Sequence, residues 1–155
     1  MSKTRLAVAG ANGAFGVKHL EALSQIEEVD IVAVMATTMA KADSVAKQFS
    51  VPKRFDDYDA MLADGDIDAV ILATPTQLHA EQGVKAMEAG KHVLIEIPMA
   101  DSLADSQALV AKQEETGMTA MAGHVRRFNP SHQYVHNLIT SGDVSIQQMD
   151  VQTYF

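Results

Sequence analysis

Residues 6–16, LAVAGANGAFG, constrain what this chain can fold into more than any other stretch. An apolar run stops at Gly10, and glycine then recurs at Gly13 and Gly16. The pattern reads as a strand, a tight turn and a helix start. Glycine opens backbone conformations and close approaches that other residues forbid. A turn of this kind gathers the N–H groups of the first helical turn, which together with the helix dipole can hold a diphosphate without any cationic side chain. The alternative is a turn whose glycines only let a helix pack closely on a sheet. The surrounding elements decide between the two, because a phosphate-binding turn needs a strand before it and a helix after it.

Strand-like and helix-like segments alternate from there on. Leu6 to Ala9 is the first predicted strand, and Ala14 to about Ile26 is a helix with Val17, Leu20 and Leu23 on one face. Ile31 to Ala36 is continuously apolar, as expected of a strand buried on both faces. Ala42, Val45, Ala46 and Phe49 mark a second helix, Val51 to Phe55 a short strand, and Tyr58 to Leu62 a helical turn. Ala69 to Ala73 is a strand ended by Thr74-Pro75, followed by a helix with Ala80, Val84 and Met87 inward, which Gly90 stops. His92 to Ile95 is a strand; Ser102 and Asp105 have capping-box spacing and open a helix that runs to Gly117. Thr119 to Ala122 is a sixth strand, and Asn129-Pro130 opens a last helix that ends before Gly142.

Repeated strand–helix units imply an α/β fold, a doubly wound parallel sheet of the Rossmann kind with helices on both faces. We expect this domain to occupy residues 1–123. The remainder, residues 124–155, reads as a linker helix and then an alternating segment from Ile146, with Met149, Val151, Thr153 and Phe155 on one side. That alternation predicts the first strand of an incomplete second, α+β domain.

Composition narrows the function classes. There is no apolar run long enough to span a bilayer and no signal-peptide core, because Gly10, Asn12 and Gly13 interrupt the first apolar stretch. A cytoplasmic protein is expected. Absence of cysteine removes disulfides, thiolate catalysis and cysteine-bound metal. The formal charge of −8, with Lys and Arg thinly spread, argues against a nucleic-acid surface. It leaves a dinucleotide site open, since backbone dipoles do most of the work there.

In an open parallel sheet ligands bind beyond the carboxyl ends of the strands. After the first strand come Gly10, Asn12, Gly13, Ala14 and Phe15; after the second, Thr37 and Thr38, with Lys41 close behind. After the fourth come Thr74, Pro75 and Thr76, with His79 at the following helix start, and after the fifth Glu96, Ile97 and Pro98. These are the predicted cofactor-binding residues. His124, Arg126 and Arg127 follow the sixth strand. An NAD site usually presents an acid to the ribose 2′-hydroxyl at the second strand end. Asp30 has the sequence distance but precedes the second predicted strand, which puts it at the wrong end. At the strand end, the hydroxyls of Thr37 and Thr38 and the Lys41 ammonium suit a 2′-phosphate, so NADP is favoured and NAD is the alternative; the two threonines also fit as caps of the next helix. His19 and His92 fall inside a helix and a strand and read as structural, while His79 either shapes the cleft or packs beside it. His132 and His136 are one helical turn apart, but no acidic or cysteine partner accompanies them, so no metal is expected. The nine methionines read as core filler.

The glycine turn, the block DGDIDAVILATPTQLHAEQGVKAMEAGKHVLIEIPMA and the block AGHVRRFNPSHQY together resemble the glucose-fructose oxidoreductase/inositol dehydrogenase (Gfo/Idh/MocA) family over essentially the whole chain. The resemblance implies an NAD(P)-dependent dehydrogenase with a Rossmann domain and a second domain that completes the substrate site and mediates homo-oligomer contacts. Most of the family has Glu-Lys-Pro after the fifth strand, with a catalytic lysine. Here the triplet is Glu96-Ile97-Pro98, and isoleucine transfers no proton, so that role does not carry over. The triplet with HVRRFNPSHQYVHNLI and IQQMDVQTYF looks most like members from bacterial aromatic-acid degradation that oxidise a carboxylated semialdehyde as its cyclic hemiacetal. The resemblance then places the general base in the second domain, with His124 as the candidate inside this chain. Arg126 and Arg127 suit the substrate carboxylates by bidentate pairing, or else pair with local acids or the cofactor. The rival readings are a dehydrogenase of a sugar or polyol and a non-catalytic nucleotide-binding module, the second favoured by the missing lysine.

Overall fold

A computed structural model describes residues 2–150. The chain divides into two compact units, one running to Gly123 and one from His124. The first is a six-stranded sheet with order β3-β2-β1-β4-β5-β6, every described pair parallel. Its strands are β1 (Thr4–Ala9), β2 (Val29–Met35), β3 (Lys53–Phe55), β4 (Ala69–Leu72), β5 (His92–Ile95) and β6 (Ala120–Ala122). Between them run α1 (Ala14–Leu23), α2 (Met39–Phe49), α3 (Tyr58–Leu62), α4 (Thr76–Glu88) and α5 (Leu103–Thr116). The order reverses between β1 and β4, so the first glycine turn sits at the switch point of the sheet, where open α/β folds place their ligands. This is the doubly wound fold expected from the alternation.

The sheet is buried on both faces, and β1 shows how its sequence meets that demand. Leu6 and Val8 pack into a cluster with Leu20 and Leu23 of α1 and Val45 and Ala46 of α2. Ala7 and Ala9 face the other way, into a cluster with Met61 and Leu62 of α3, Ala86 and Met87 of α4 and Leu109 of α5. A strand whose odd and even residues both enter a core must be apolar throughout, which explains the unbroken LAVA run. Pairing of β1 with β2 shifts by one residue between Leu6 and Ala7, a bulge that leaves Val32 without an opposite partner.

Several element boundaries differ from the sequence reading, most strands by one or two residues. Helix α1 stops at Leu23, because Gln25 and Ile26 donate to the Ala22 and Leu23 carbonyls in tight turns that tie off the helix. Strand β2 begins at Val29, so Asp30 lies inside it, opposite Arg5 of β1 and bound to Lys3 Nζ at 3.0 Å. It remains at the amino end of the strand. In the second unit, a 3-10 turn (Val125–Phe128) precedes α6 (Pro130–Thr140). Residues 146–150 of the expected terminal strand carry no strand structure, since alternation of side chains alone does not supply the backbone ladder that makes a strand. The rest of that segment lies outside the described residues. No described helix is long and apolar enough to cross a membrane.

Candidate functional site

The glycine turn is built so that backbone, not side chain, faces the end of β1. Gly10 has φ +77°, and a Cβ there would stand 2.3 Å from the Ala73 carbonyl oxygen beyond β4. A Cβ on Gly16 would stand 2.3 Å from the Gly10 carbonyl oxygen, so only glycine lets α1 come this close to the turn. Gly13, extended at φ −77°, is the N-cap and donates to the Gly10 oxygen at 3.0 Å. Asn12, Ala14 and the 64% exposed Phe15 lie on the outer side of the turn. Nothing on a side chain caps α1, and its first turn carries no acid. By contrast α2, α3 and α5 are capped by Thr38, Asp57 and Ser102. An uncapped helix start behind a glycine turn is a ready anion site, and the group it fits is a dinucleotide diphosphate.

At the end of β2, Thr38 spends its hydroxyl on the cap of α2, accepting from Lys41 N–H at 3.4 Å. Thr37 does not. Its hydroxyl accepts from Lys41 Nζ at 3.2 Å, so a hydroxyl and an ammonium stand side by side, both exposed, one strand away from the glycine turn.

The loops after β4 and β5 are braced from behind. The Thr74 hydroxyl donates to Gln82 Oε1 at 2.6 Å, and the Tyr58 hydroxyl, its pKa pushed up by burial, donates to the Gln82 carbonyl at 2.8 Å. His79 is 2% exposed, with Nδ1 2.8 Å from the Pro98 carbonyl oxygen and Nε2 2.8 Å from that of Thr74. With one ring proton it satisfies one loop; with two it staples both. Pro75 is the N-cap of α4 and Thr76 its first residue, and this helix start also lacks a side-chain cap. Glu96 extends β5 by donating its N–H to the Leu72 carbonyl at 3.0 Å. Its carboxylate is buried against His19 Nε2 of α1 at 2.7 Å, and the absent side chain of Gly123 leaves it room, since a Cβ there would stand 3.2 Å from Glu96 Oε1. Ile97 is 42% exposed at the strand end and joined to Pro98 by a cis peptide bond.

Two of these braces escaped the sequence reading. Gln82 is a polar residue three positions from His79 on α4, so the two share a face, and that spacing was the available signal. His19 is three positions beyond Gly16 in a helix already assigned to the turn, but its partner is 77 residues away and only the fold brings it near. His92, read as structural, accepts from Thr119 N–H at 2.9 Å at the far end of the sheet.

The second unit holds the remaining candidates. His124 precedes the 3-10 turn and accepts from Arg127 N–H at 3.0 Å through its carbonyl. Asn129 caps α6, accepting from Ser131 N–H at 2.9 Å. Arg126, Arg127, His132, Gln133, His136 and Asn137 line one hollow of about 780 Å³. Both arginines and both helical histidines thus share a wall, which suits an anion with several acceptor oxygens. Among the described residues no group of three or more His, Asp or Glu side chains is arranged to hold a metal.

A parallel sheet in this order, with an uncapped helix behind a glycine turn at its switch point, defines a dinucleotide-binding Rossmann domain. Residues 4–124 match the oxidoreductase family described as having an NAD-binding Rossmann fold, and residues 130–155 match the C-terminal region of bacterial oxidoreductases. The chain belongs to the Gfo/Idh/MocA oxidoreductase family. It is 54% identical over 151 residues to 4-carboxy-2-hydroxymuconate-6-semialdehyde dehydrogenase of Sphingobium sp. strain SYK-6, an alignment covering 97% of this chain and 48% of that enzyme. It therefore spans about half the length of that relative. Scyllo-inositol dehydrogenase of Lactobacillus casei, solved with NAD(H) and scyllo-inositol, superposes with a TM-score of 0.86 at 26% identity, over 92% of this chain and 42% of that one. A 3-ketoreductase of Actinomadura kijaniata, solved with NADP, superposes at 0.84 and 27% identity, over 91% and 44%. A nicotinamide cofactor is thus common to these neighbours, in both its forms.

Proposed function

We propose that this chain is the cofactor-binding half of an NADP-preferring dehydrogenase that oxidises a carboxylated cyclic hemiacetal, the closed form of 4-carboxy-2-hydroxymuconate-6-semialdehyde, to 2-pyrone-4,6-dicarboxylate. The observation that carries the cofactor half is the uncapped start of α1 behind Gly10, Gly13 and Gly16. Its N–H groups hold the diphosphate. Thr37 and Lys41 bind a 2′-phosphate, the ammonium supplying charge and the hydroxyl a hydrogen bond. The loops at Thr74–Thr76 and Glu96–Pro98 orient the nicotinamide end, held by Gln82, His79 and His19. The bound nicotinamide supplies the hydride acceptor.

The substrate half is supported by the 54% identical relative and by Ile97. A hemiacetal carbon already bears a second oxygen whose lone pair stabilises the carbonyl that forms. The carbon–hydrogen bond is broken as hydride leaves, and the hydroxyl proton goes to a base. With that help built into the substrate, a site without the lysine remains competent. His124 is the base candidate in this chain, Arg126 and Arg127 anchor carboxylates, and residues beyond this chain complete the substrate pocket and the oligomer. The protein acts in the cytoplasm.

The full-length protein tests this reading directly. Hemiacetal-dependent reduction of NADP, faster than with NAD or with inositol or glucose as substrate, is expected. The second reading, a non-catalytic nucleotide-binding module, is favoured by Ile97 alone; nucleotide binding with no reduction of either cofactor by any of these substrates establishes it instead.

A further inference from the structure

The buried pair formed by His19 and Glu96 ties α1, the helix behind the glycine turn, to the tip of β5. His19 lies in the second turn of α1, its side chain 18% exposed, and Glu96 lies at the tip of β5, its side chain 10% exposed. Their contact of 2.7 Å carries one proton whichever partner owns it, and it replaces solvent for a carboxylate that Gly123 lets sink against the backbone. The topology gives this contact a place in binding. In the cofactor reading the diphosphate would be held at the β1–α1 turn and the adenosine ribose at the end of β2, which would leave the ends of β4 and β5, on the opposite side of β1, to the nicotinamide half. Glu96-Ile97-Pro98 is the turn it would meet there, and Pro98 is already fixed from the α4 side by His79.

We propose that His19 is a positioning residue for the nicotinamide half of the cofactor: by holding the Glu96 carboxylate it sets the Glu96–Pro98 turn relative to α1, while the adenosine and diphosphate half binds without it. The inference rests on the cofactor reading above. It predicts a split that a merely structural histidine would not give. Binding of NADPH contains the nicotinamide contribution; binding of 2′-phospho-ADP-ribose, which ends before the nicotinamide, does not.

The test measures both ligands by calorimetry on the unsubstituted chain and on His19→Ala, His19→Gln and Glu96→Gln, with NADPH emission recorded alongside. His19→Ala is expected to weaken NADPH about tenfold, the scale of one lost charge-assisted hydrogen bond, and to alter the emission of the bound nicotinamide. The same variant changes 2′-phospho-ADP-ribose less than about twofold, which also shows that its fold and diphosphate site are intact. His19→Gln, whose amide can still donate to Glu96, recovers most of the loss, and Glu96→Gln adds nothing in the His19→Ala background. Equal weakening of both ligands, or no weakening of NADPH, overturns the proposal while leaving the cofactor reading standing. Failure of the unsubstituted chain to bind either ligand overturns both.

Discussion

Single residues carry the sharpest consequences of this architecture. A methyl group on Gly16 would meet the Gly10 carbonyl oxygen at 2.3 Å and the Ala11 Cα at 2.7 Å, both backbone atoms of the turn rather than the movable end of a side chain. Gly16→Ala is expected to cost about 1–3 kcal/mol in chemical denaturation and to weaken nucleotide binding at least tenfold, because α1 can accept the methyl only by moving away from the turn. At the opposite end of the sheet, Arg5 donates Nη2 and Nε to the two oxygens of Asp68, at 2.6 and 3.0 Å. The guanidinium holds that carboxyl down to about 2, below its ordinary value. A depressed carboxyl contributes stability that is complete above its unfolded pKa of about 4 and is lost as pH falls through about 2. Asp68→Asn should therefore lower Tm at neutral pH, by no more than about 4 °C since both groups keep over a third of their side-chain surface in water, and the gap to the unsubstituted protein should narrow as pH falls from about 4 towards 2 and close below that.

At the scale of elements, the proposed preference for NADP rests on the loop from β2 to α2. Lys41→Ala removes the ammonium beside Thr37 and leaves the Thr38 cap, which uses only the Lys41 backbone N–H, in place. NADPH affinity is expected to fall about tenfold with NADH affinity unchanged, measured by titration of each. Parallel loss of both would mean that the lysine supports the loop rather than the phosphate. The strands and helices themselves were legible because strands buried on both faces must be apolar throughout, and because Ser102, Asn129 and the stopping glycines mark helix ends by local chemistry. What the sequence could not show is contact at a distance. The 3-10 turn at Val125–Phe128 has neither strand nor helix periodicity, and a strand expected from alternation at Ile146 depends on a partner that alternation does not name. Thr38 illustrates a further limit: two neighbouring threonines looked equivalent, and only the geometry separates the cap from the hydroxyl that meets Lys41.

For the whole molecule, the parallel sheet and its switch point explain why the candidate cofactor residues, 86 positions apart from Gly10 to Glu96, converge on one edge. Strand-end chemistry made them readable one by one; their braces, His19, His79 and Gln82, became assignable only once the strands were ordered. The arginine-lined hollow of the second unit belongs to the substrate half of the proposal. In the full-length enzyme, Arg126→Ala and Arg127→Ala should raise KM for the carboxylated substrate at least tenfold in one of the two, with KM for NADP unchanged; unaltered substrate KM in both would remove the carboxylate role. In the proposed function the glycine turn binds a nicotinamide dinucleotide and the β2 end prefers its phosphorylated form. Calorimetric titration of this chain with NADPH and with NADH tests it most directly. Saturable one-to-one binding, tighter for NADPH, is the predicted result; no binding of either, or binding of NADH as tight as or tighter than NADPH, would contradict it.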